Sequence, residues 1–330
     1  MKTYNWGILA PGGIAHKFAS DLKLLPNAQL TAVGSRDFGR AKEFANKFGF
    51  ERAYGSYEEL AQDPDIDIVY IASPHIGHYA HSMLCLEQGK AVLCEKPVAM
   101  NAAQYKMMIV TAKKNKCFFM EALWTRFIPS FMKFKELVDS GAIGKIKLIE
   151  SDFCFKAPYN AKGRLFNLQL GGGALLDIGI YPVFMALEMA GQPQNIEAIA
   201  IKGKTGVDEK CAVTFTHDRE VLSVLFCSII NNGRTETLIH GDKGYIRLNT
   251  MWHLPTSIDL LPDNGQPKHF DFDEPGFGYQ YEAKHVMECL NEQKIESEIF
   301  TWEKSLKLIN MLDTLRLKTG ITYPQAIEEV

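Results

Sequence analysis

The sequence has no cysteine pair at Cys-x-x-Cys spacing, no large net charge, no uninterrupted apolar run of membrane-spanning length, and no low-complexity segment. Each absence sets aside a class of function. The seven cysteines (Cys85, Cys94, Cys117, Cys154, Cys211, Cys227 and Cys289) are odd in number and mostly lie in apolar runs, which reads as buried thiols rather than a disulfide framework. Lysine and arginine total 36 against 39 acidic residues, a net charge of −3, so nothing in the summed field calls for a nucleic-acid partner. A membrane helix needs about 18 to 20 apolar residues in a row, and the most apolar windows are broken by Asp177, Glu188 or polar turns, so no membrane partner is expected. With only 26 glycines and 14 prolines in 330 residues, collagen-like and linker-dominated architectures drop out. Met1 to Trp6 runs into a strand-like stretch without a charged-then-apolar leader, so the expected location is the cytoplasm.

What is present is a chain long enough, at about 150 residues per domain, for roughly two folded domains. From residue 5 to about 121, β-rich apolar runs (6–9, 30–34, 68–72, 91–94 and 117–121) alternate with amphipathic helical stretches (14–24, 39–48, 78–87 and 102–114), the pattern of a doubly wound parallel sheet. After Glu121 the pattern changes. Helical stretches at 131–139 and 175–190 flank an alternating run at 145–155. A series of strands at 212–216, 221–230, 235–240 and 244–248 follows, separated by turn signals that predict hairpins at 217–219, 231–233 and 241–244. Helical patterns return at 279–290 and 303–318. The expected architecture is an α/β Rossmann domain over 1–121 and an α+β domain with an open, mainly antiparallel sheet over 122–330, whose last helix can pack back on the first domain.

Directly after the first strand, Ala10-Pro11-Gly12-Gly13-Ile14-Ala15 opens a helix, departing from Gly-x-Gly-x-x-Gly at its first and last positions. Gly12 takes the place where a missing side chain lets backbone N–H groups approach a pyrophosphate, and Ala15 is small enough for close helix-to-strand packing. An ordinary tight strand-to-helix turn would use the same residues. At the end of the second strand a NAD site usually places an acid, whereas this chain reads Gly34-Ser35-Arg36-Asp37. A hydroxyl followed by a guanidinium suits a 2′-phosphate and points to NADP; the competing reading is a solvated Arg36 and an Asp37 that caps the next helix.

Two further stretches are more specific. Ser73-Pro74-His75-Ile76-Gly77-His78 follows the third apolar strand, and Glu95-Lys96-Pro97 follows the next. In that order, behind a dinucleotide turn, they resemble the glucose-fructose oxidoreductase, inositol dehydrogenase and rhizopine-catabolism (Gfo/Idh/MocA) family. The resemblance continues through Gly171-Gly172-Gly173-Ala174-Leu175-Leu176-Asp177-Ile178-Gly179-Ile180-Tyr181-Pro182 and covers nearly the whole chain. Glu121-Ala122-Leu123-Trp124-Thr125-Arg126-Phe127, and a tyrosine at 181 where inositol dehydrogenases carry histidine, look most like one branch. That branch contains the dimeric trans-1,2-dihydrobenzene-1,2-diol dehydrogenases, which also oxidise D-xylose with NADP.

The resemblance implies hydride transfer between NADP and a secondary alcohol or hemiacetal carbon of a sugar or cyclic diol. Such a reaction needs a group that takes the hydroxyl proton as the hydride leaves, and a lysine partly buried beside a cationic ring is biased toward its neutral form. Lys96 fits that task. Asp177 and Tyr181, four residues apart, share one face if the stretch is helical, although Pro182 should kink such a helix; helix capping and core packing would use the same two residues. Asp177 would orient the hydroxyl or stabilise charged Lys96, and Tyr181 would donate to or relay the proton. Gly12, Gly13, Ile14, Ser35, Arg36, Ser73, Pro74, His78, Glu95 and Lys96 are the expected cofactor contacts, and Trp124, Arg126, Phe155, Trp252 and Phe277 the expected substrate pocket. No metal is expected from His75, His78 and His81, which recur every three residues without a carboxylate at a useful spacing, and His81 reads as ordinary helix surface. The other expectations are a homodimer through the open sheet, a sugar-sugar oxidoreductase or reductase with retained cofactor as alternative activities, and a non-enzymatic NADP sensor as an alternative class.

Overall fold

In the computed structural model, which describes residues 2–330, the chain forms two compact units. The first comprises residues 1–126, 275–309 and 328–330; the second comprises 127–274 and 310–327. A single cut near residue 121 therefore does not describe the chain, because the stretch from Pro275 to Ile309 belongs with the N-terminal residues.

The first unit is built on a six-stranded parallel sheet: β1 (Tyr4–Leu9), β2 (Ala28–Gly34), β3 (Arg52–Tyr54), β4 (Ile68–Ile71), β5 (Ala91–Glu95) and β6 (Phe119–Ala122), in the order β3-β2-β1-β4-β5-β6. Helices α1 (Gly13–Leu22), α2 (Phe38–Phe48), α3 (Tyr57–Gln62), α4 (His78–Glu87) and α5 (Ala102–Asn115) connect the strands. Strands covered on both faces read as continuous apolar runs, and Ile68-Val69-Tyr70-Ile71 is wholly buried. The order reverses beside β1, the topological switch point where open α/β sheets take ligands at their carboxyl ends. Short β3 and α3 were missed by the periodicity, although Ser56 and Glu59 make a complete capping box at the start of α3.

The edge strand β6 is not left open. The Phe119 N–H donates to the Ile295 carbonyl at 3.0 Å, and the Trp302 indole donates to the Phe119 carbonyl at 2.8 Å. Two more elements of this unit come from late in the chain: α8 (Tyr279–Asn291), and the beginning of α9 (Trp302–Thr319). Asp21 of α1 accepts the Phe277 and Tyr279 N–H groups at 2.9 Å each, fixing the start of α8. Trp124 stacks on Tyr279 with ring centres 4.1 Å apart.

In the second unit, β7 (Ile146–Cys154), β8 (Asn195–Lys202), β9 (Asp208–Thr216), β10 (Leu222–Ser228), β11 (Thr237–Gly241), β12 (Gly244–Leu248), β13 (Ile258–Pro262) and β14 (Lys268–Phe270) form one sheet, ordered β14-β13-β12-β11-β7-β10-β9-β8. Every neighbouring pair is antiparallel except β7 with β10. The hairpins predicted at 217–219 and 241–244 form, with Gly241 opposite Gly244. The one predicted at 231–233 does not: β7 lies between β10 and β11, so Asn231-Asn232-Gly233 is a crossover rather than a two-strand turn. α6 (Pro129–Asp139) and α7 (Ile180–Ala190) belong to this unit.

The stretch Leu168–Ala190 is long and apolar enough by composition to cross a membrane, but 89% of its most apolar window is buried inside the unit. It is also not one helix. A 3₁₀ turn (Leu168–Leu170), the glycine turn, a π-helical turn (Leu175–Gly179) and α7 succeed one another. Pro182 falls three residues after the π turn, in a helical run continuous from that turn into α7, and the wide turn is the irregularity that accompanies it in place of a sharp break. All seven cysteines are buried and free.

Candidate functional site

In the first unit, α1 begins at the switch point. Its N-cap is Gly12, no side chain caps it, and its first turn carries no acid. By contrast α2, α3 and α5 are closed by Asp37, Ser56 and Asn101. A Cβ on Gly12 would meet only the Ala72 carbonyl oxygen, at 3.8 Å, and one on Gly13 would meet nothing within 4 Å. The protein itself therefore does not require these glycines; what their missing side chains leave clear is the space before the open N–H groups of the helix. That arrangement fits a dinucleotide pyrophosphate. Ala10 stands at the fingerprint's first glycine position with φ 68°, a left-handed conformation that glycine adopts without strain.

At the end of β2, Ser35 is buried, its hydroxyl accepts the Asp37 N–H at 3.2 Å, and Arg36 is exposed. Asp37 accepts the Arg40 N–H at 3.2 Å, so this carboxylate caps α2. His81 is not ordinary surface. Its Nδ1 lies 2.9 Å from the Ser73 hydroxyl, and its ring stands edge-on to Tyr57 at 4.6 Å. Burial, reinforced by the nearby Arg36 charge, lowers its pKa to about 4. Room for it is made by Gly77, where a Cβ would lie 2.6 Å from the imidazole. His78 is buried beneath the same turn, Nδ1 2.7 Å from the Pro97 carbonyl and Nε2 2.8 Å from the Ser73 carbonyl. The two carbonyls favour the charged ring, but burial outweighs them and lowers its pKa to about 4; the neutral ring carries one N–H and donates to one carbonyl at a time. Pro74 is exposed between them.

Lys96 follows β5 and is partly exposed while its neighbours from Ala91 to Met100 are buried; the Lys96–Pro97 peptide is cis. Two carboxylates fix this turn. Glu95 accepts the Tyr70 hydroxyl and, at 3.2 Å, the Lys96 N–H. Burial, with Glu95 close by, pushes the Tyr70 phenol up, so it stays a donor. Glu121 accepts the Val98 N–H at 2.9 Å and the Ser305 hydroxyl, and burial raises its pKa to about 7. Of the expected pocket residues in this unit, Trp124 and Arg126 are buried, whereas Phe277 is exposed with the Lys17 amine 5.3 Å from its ring centre.

In the second unit, the glycine turn leads into the helix bearing Asp177 and Tyr181. Gly173 has φ 132°, and its Cβ would fall 2.1 Å from Asp208 Oδ1. Asp208 accepts the Leu175 N–H at 2.6 Å at the helix start. Asp177 and Tyr181 are both buried, one in the π turn and one in the first turn of α7. Arg164 reaches Asp177 with Nη1 2.7 Å from Oδ1 and Nη2 3.4 Å from Oδ2. Around Tyr181 stand Phe153 (ring centres 5.4 Å apart), His253 (5.5 Å) and Trp252 (6.3 Å, edge-on). Phe153 and His253 stack at 4.0 Å.

The structure gives Trp252 a different place from the expected pocket wall. It is fully buried, and its indole N–H donates to the Asp152 carbonyl at 2.9 Å, so it backs Tyr181 and presents no free face. Phe155 is partly exposed, next to Phe153 at 6.2 Å. Sequence reasoning took His81 for helix surface and missed Arg164, Phe153 and His253. Only His253, adjacent to Trp252, and Phe153, in register with Phe155, had a signal in the chain.

Two family descriptions match the chain. An oxidoreductase family with an NAD-binding Rossmann fold (GFO/IDH/MocA) matches residues 4–123, and a GFO/IDH/MocA C-terminal domain matches residues 131–247. Trans-1,2-dihydrobenzene-1,2-diol dehydrogenase of Homo sapiens is 38% identical, covering 97% of this chain and 98% of that protein. Among solved structures, the aldose-aldose oxidoreductase from Caulobacter crescentus, complexed with glycerol, has a TM-score of 0.88 at 21% identity over 97% of this chain and 98% of that one. The 3-ketoreductase KijD10 from Actinomadura kijaniata, in complex with NADP and TDP-benzene, has a TM-score of 0.86 at 23% identity over 96% and 98%. At these identities the two structures speak for the fold.

Proposed function

The chain belongs to the Gfo/Idh/MocA oxidoreductase family, and from that premise we propose that it is an NADP-dependent dehydrogenase acting on the CH–OH groups of sugars or cyclic trans-diols. The coarser statement, an NAD(P)-dependent oxidoreductase, follows from the family. The open, glycine-lined start of α1 at the switch point supports dinucleotide binding, and the observation that supports NADP is the exposed Arg36 beside Ser35 at the end of β2.

Gly12, Gly13 and Ile14 would hold the pyrophosphate, and Ser35 and Arg36 the 2′-phosphate, while the Asp37 carboxylate beside them caps α2 through Oδ1. Ser73, Pro74, His78 and Glu95 would shape the remaining cofactor wall. A bound nicotinamide supplies the hydride acceptor. Lys96 and Tyr181 handle the proton of the reacting hydroxyl, and Asp177 orients it. Trp124, Arg126, Phe155 and Phe277 remain the proposed substrate contacts, since aromatic faces suit the C–H faces of cyclic polyols. The alternatives, a sugar-sugar oxidoreductase or reductase with retained cofactor, use the same groups.

We place the protein in the cytoplasm as a homodimer. The seven free thiols suit a reducing compartment. The outward face of β8 to β10 aligns Ile199 with Phe226 across Ala212, exposed at 63% and 42%, and adds Ile201, Leu222 and Val224, an apolar patch suited to a second copy. The test of activity follows absorbance at 340 nm with NADP or NAD over a panel of aldoses, ketoses and trans-diols. Turnover with at least one polyol, faster with NADP, is expected. Tight NADP binding without turnover of any would replace the enzyme with an NADP-sensing protein.

A further inference from the structure

Asp177 carries a partner that the family motif does not contain. The Arg164 guanidinium meets both carboxylate oxygens, at 2.7 and 3.4 Å. The arginine side chain is 54% exposed and the aspartate 5%, so the guanidinium forms the solvent side of an otherwise buried carboxylate.

The ends of this pair are fastened to one turn. Gly173 N–H donates to the Leu165 carbonyl and Gly172 N–H to the Asn167 carbonyl, both at 3.0 Å. A Cβ on Gly172 would come within 2.6 Å of the Arg164 carbonyl oxygen and 2.7 Å of that of Leu165. The segment bearing Arg164 can therefore lie on the glycine turn only because side chains are absent there. The Tyr323 hydroxyl donates to the Gly172 carbonyl at 2.9 Å and secures the turn from a third side. A fork of two N–H groups fixes the plane of a carboxylate as well as neutralising it.

We propose that Arg164 is a positioning residue for the reaction, holding Asp177 ionised and in one orientation toward the substrate hydroxyl. This rests on the reading of Asp177 as the group that orients that hydroxyl. Other titratable groups on elements packed around the turn include Tyr181, Asp208, Glu209, Lys210, Cys211, Cys227, Arg316 and Tyr323, with Glu150, Asp152 and Cys154 on β7. Arg164 is in direct contact with the Asp177 carboxylate.

The test compares Arg164→Ala, Arg164→Lys and Asp177→Asn with the parent, using D-xylose and trans-cyclohexane-1,2-diol with NADP across pH 4 to 9. Removing a cation beside an aspartate raises its pKa by about 1 to 3 units. Arg164→Ala is expected to lose about 10- to 100-fold in kcat/KM and to move the acid limb of the pH profile up by about one unit or more, with NADP affinity unchanged. Arg164→Lys restores the charge without the fork and recovers part of the rate. The Asp177 carboxyl carbon resonance, assigned by its loss in Asp177→Asn, should titrate higher in Arg164→Ala by the same amount, a readout that needs no turnover. Unchanged kcat/KM in Arg164→Ala, or a lower rate with the acid limb and the carboxyl titration unmoved, overturns the proposal. If Asp177→Asn keeps full activity, the reading of Asp177 itself fails; if that variant is inactive while Arg164→Ala behaves as the parent, only the role of Arg164 falls.

Discussion

Replacing Glu121 with glutamine should flatten part of the pH dependence of stability. Glu121 is buried on β6, accepts from Val98 N–H and the Ser305 hydroxyl, and has its pKa raised by burial from 4.5 to about 7; Lys96 pulls it down and Glu95 pushes it up. A carboxyl whose pKa is higher folded than unfolded gives stability that is complete below pH 4.5 and is lost as pH rises through 7. At about 1.4 kcal/mol per unit the full loss is about 3 kcal/mol, of which about 1 kcal/mol falls between pH 6 and 8. Glutamine has the same shape and no charge. Its carbonyl still accepts from Val98, and the Ser305 hydroxyl can turn to accept from its amide. Urea unfolding followed by tryptophan fluorescence, at pH 6 and pH 8 in both proteins, gives a double difference. Asp208, also raised to about 7 by burial, contributes equally to both proteins and cancels. The advantage of the glutamine variant should be about 1 kcal/mol larger at pH 8 than at pH 6. An advantage equal at the two pH values, or larger at pH 6, refutes the argument. Because glutamine keeps the bond to Val98, two residues beyond Lys96, activity should survive.

Lys96→Met and Tyr181→Phe should each lower kcat by about 10²- to 10⁴-fold while the NADP dissociation constant, read by cofactor fluorescence, stays within about threefold; undiminished turnover removes the role assigned. Arg36→Ala should raise KM for NADP by about 10- to 100-fold and leave KM for NAD little changed, from the loss of charge-assisted bonds to a phosphate, and equal effects on both cofactors would reject NADP preference. Phe226→Asp places a charge in the apolar patch of the open sheet face and should give a monomer by light scattering at micromolar concentration, where the parent is expected to be a dimer; a monomeric parent refutes the proposed assembly. Glu282 is fully buried on α8 with neither carboxylate oxygen hydrogen-bonded, and burial, then Glu95 and Asp21, raises its pKa well above the carboxylate range. Glu282→Met fills similar volume without an unsatisfied acid and should stabilise by about 1 to 2 kcal/mol, measured as a higher Tm; a lower Tm would show that the carboxyl has a function in the fold.

The parts of the site that could be read in the chain are those whose signals are local. The turn at Gly12, the Glu95-Lys96-Pro97 step and the Asp177 to Tyr181 spacing each fall within a few residues, and the alternation of strand with helix placed the first two at strand ends. Contacts between distant segments left no comparable trace. Arg164 sits in an irregular stretch with no periodicity, and its approach to Asp177 depends on the absent side chain of Gly172. Trp252 looked like a pocket wall because aromatic residues in loops often are one, but a hydrogen bond to Asp152, a hundred residues earlier, draws it inside. His81 looked like surface because it follows His75 and His78 at even spacing, whereas Gly77 opens a berth for it against Ser73. The hairpin signal at 231–233 marked a turn correctly and named the wrong partner, since turn chemistry does not say whether a third strand will be inserted.

The closure of β6 by Ile295 and Trp302 also sets a timetable. Domains commonly fold in order as the ribosome delivers them, at about 5 to 20 residues per second. Here the N-terminal sheet is complete in its strands by Ala122 but lacks α8 and its edge cover until the chain has grown to about residue 309. For roughly 10 to 40 s of synthesis the nascent sheet has an unpaired edge, which is the kind of template on which strands of neighbouring chains pair. The second unit, much of it synthesised within that interval, emerges before the first can finish. In a living cell the vulnerable period of this protein therefore belongs to its oldest residues, and chaperone demand should be greatest while the middle of the chain is being made.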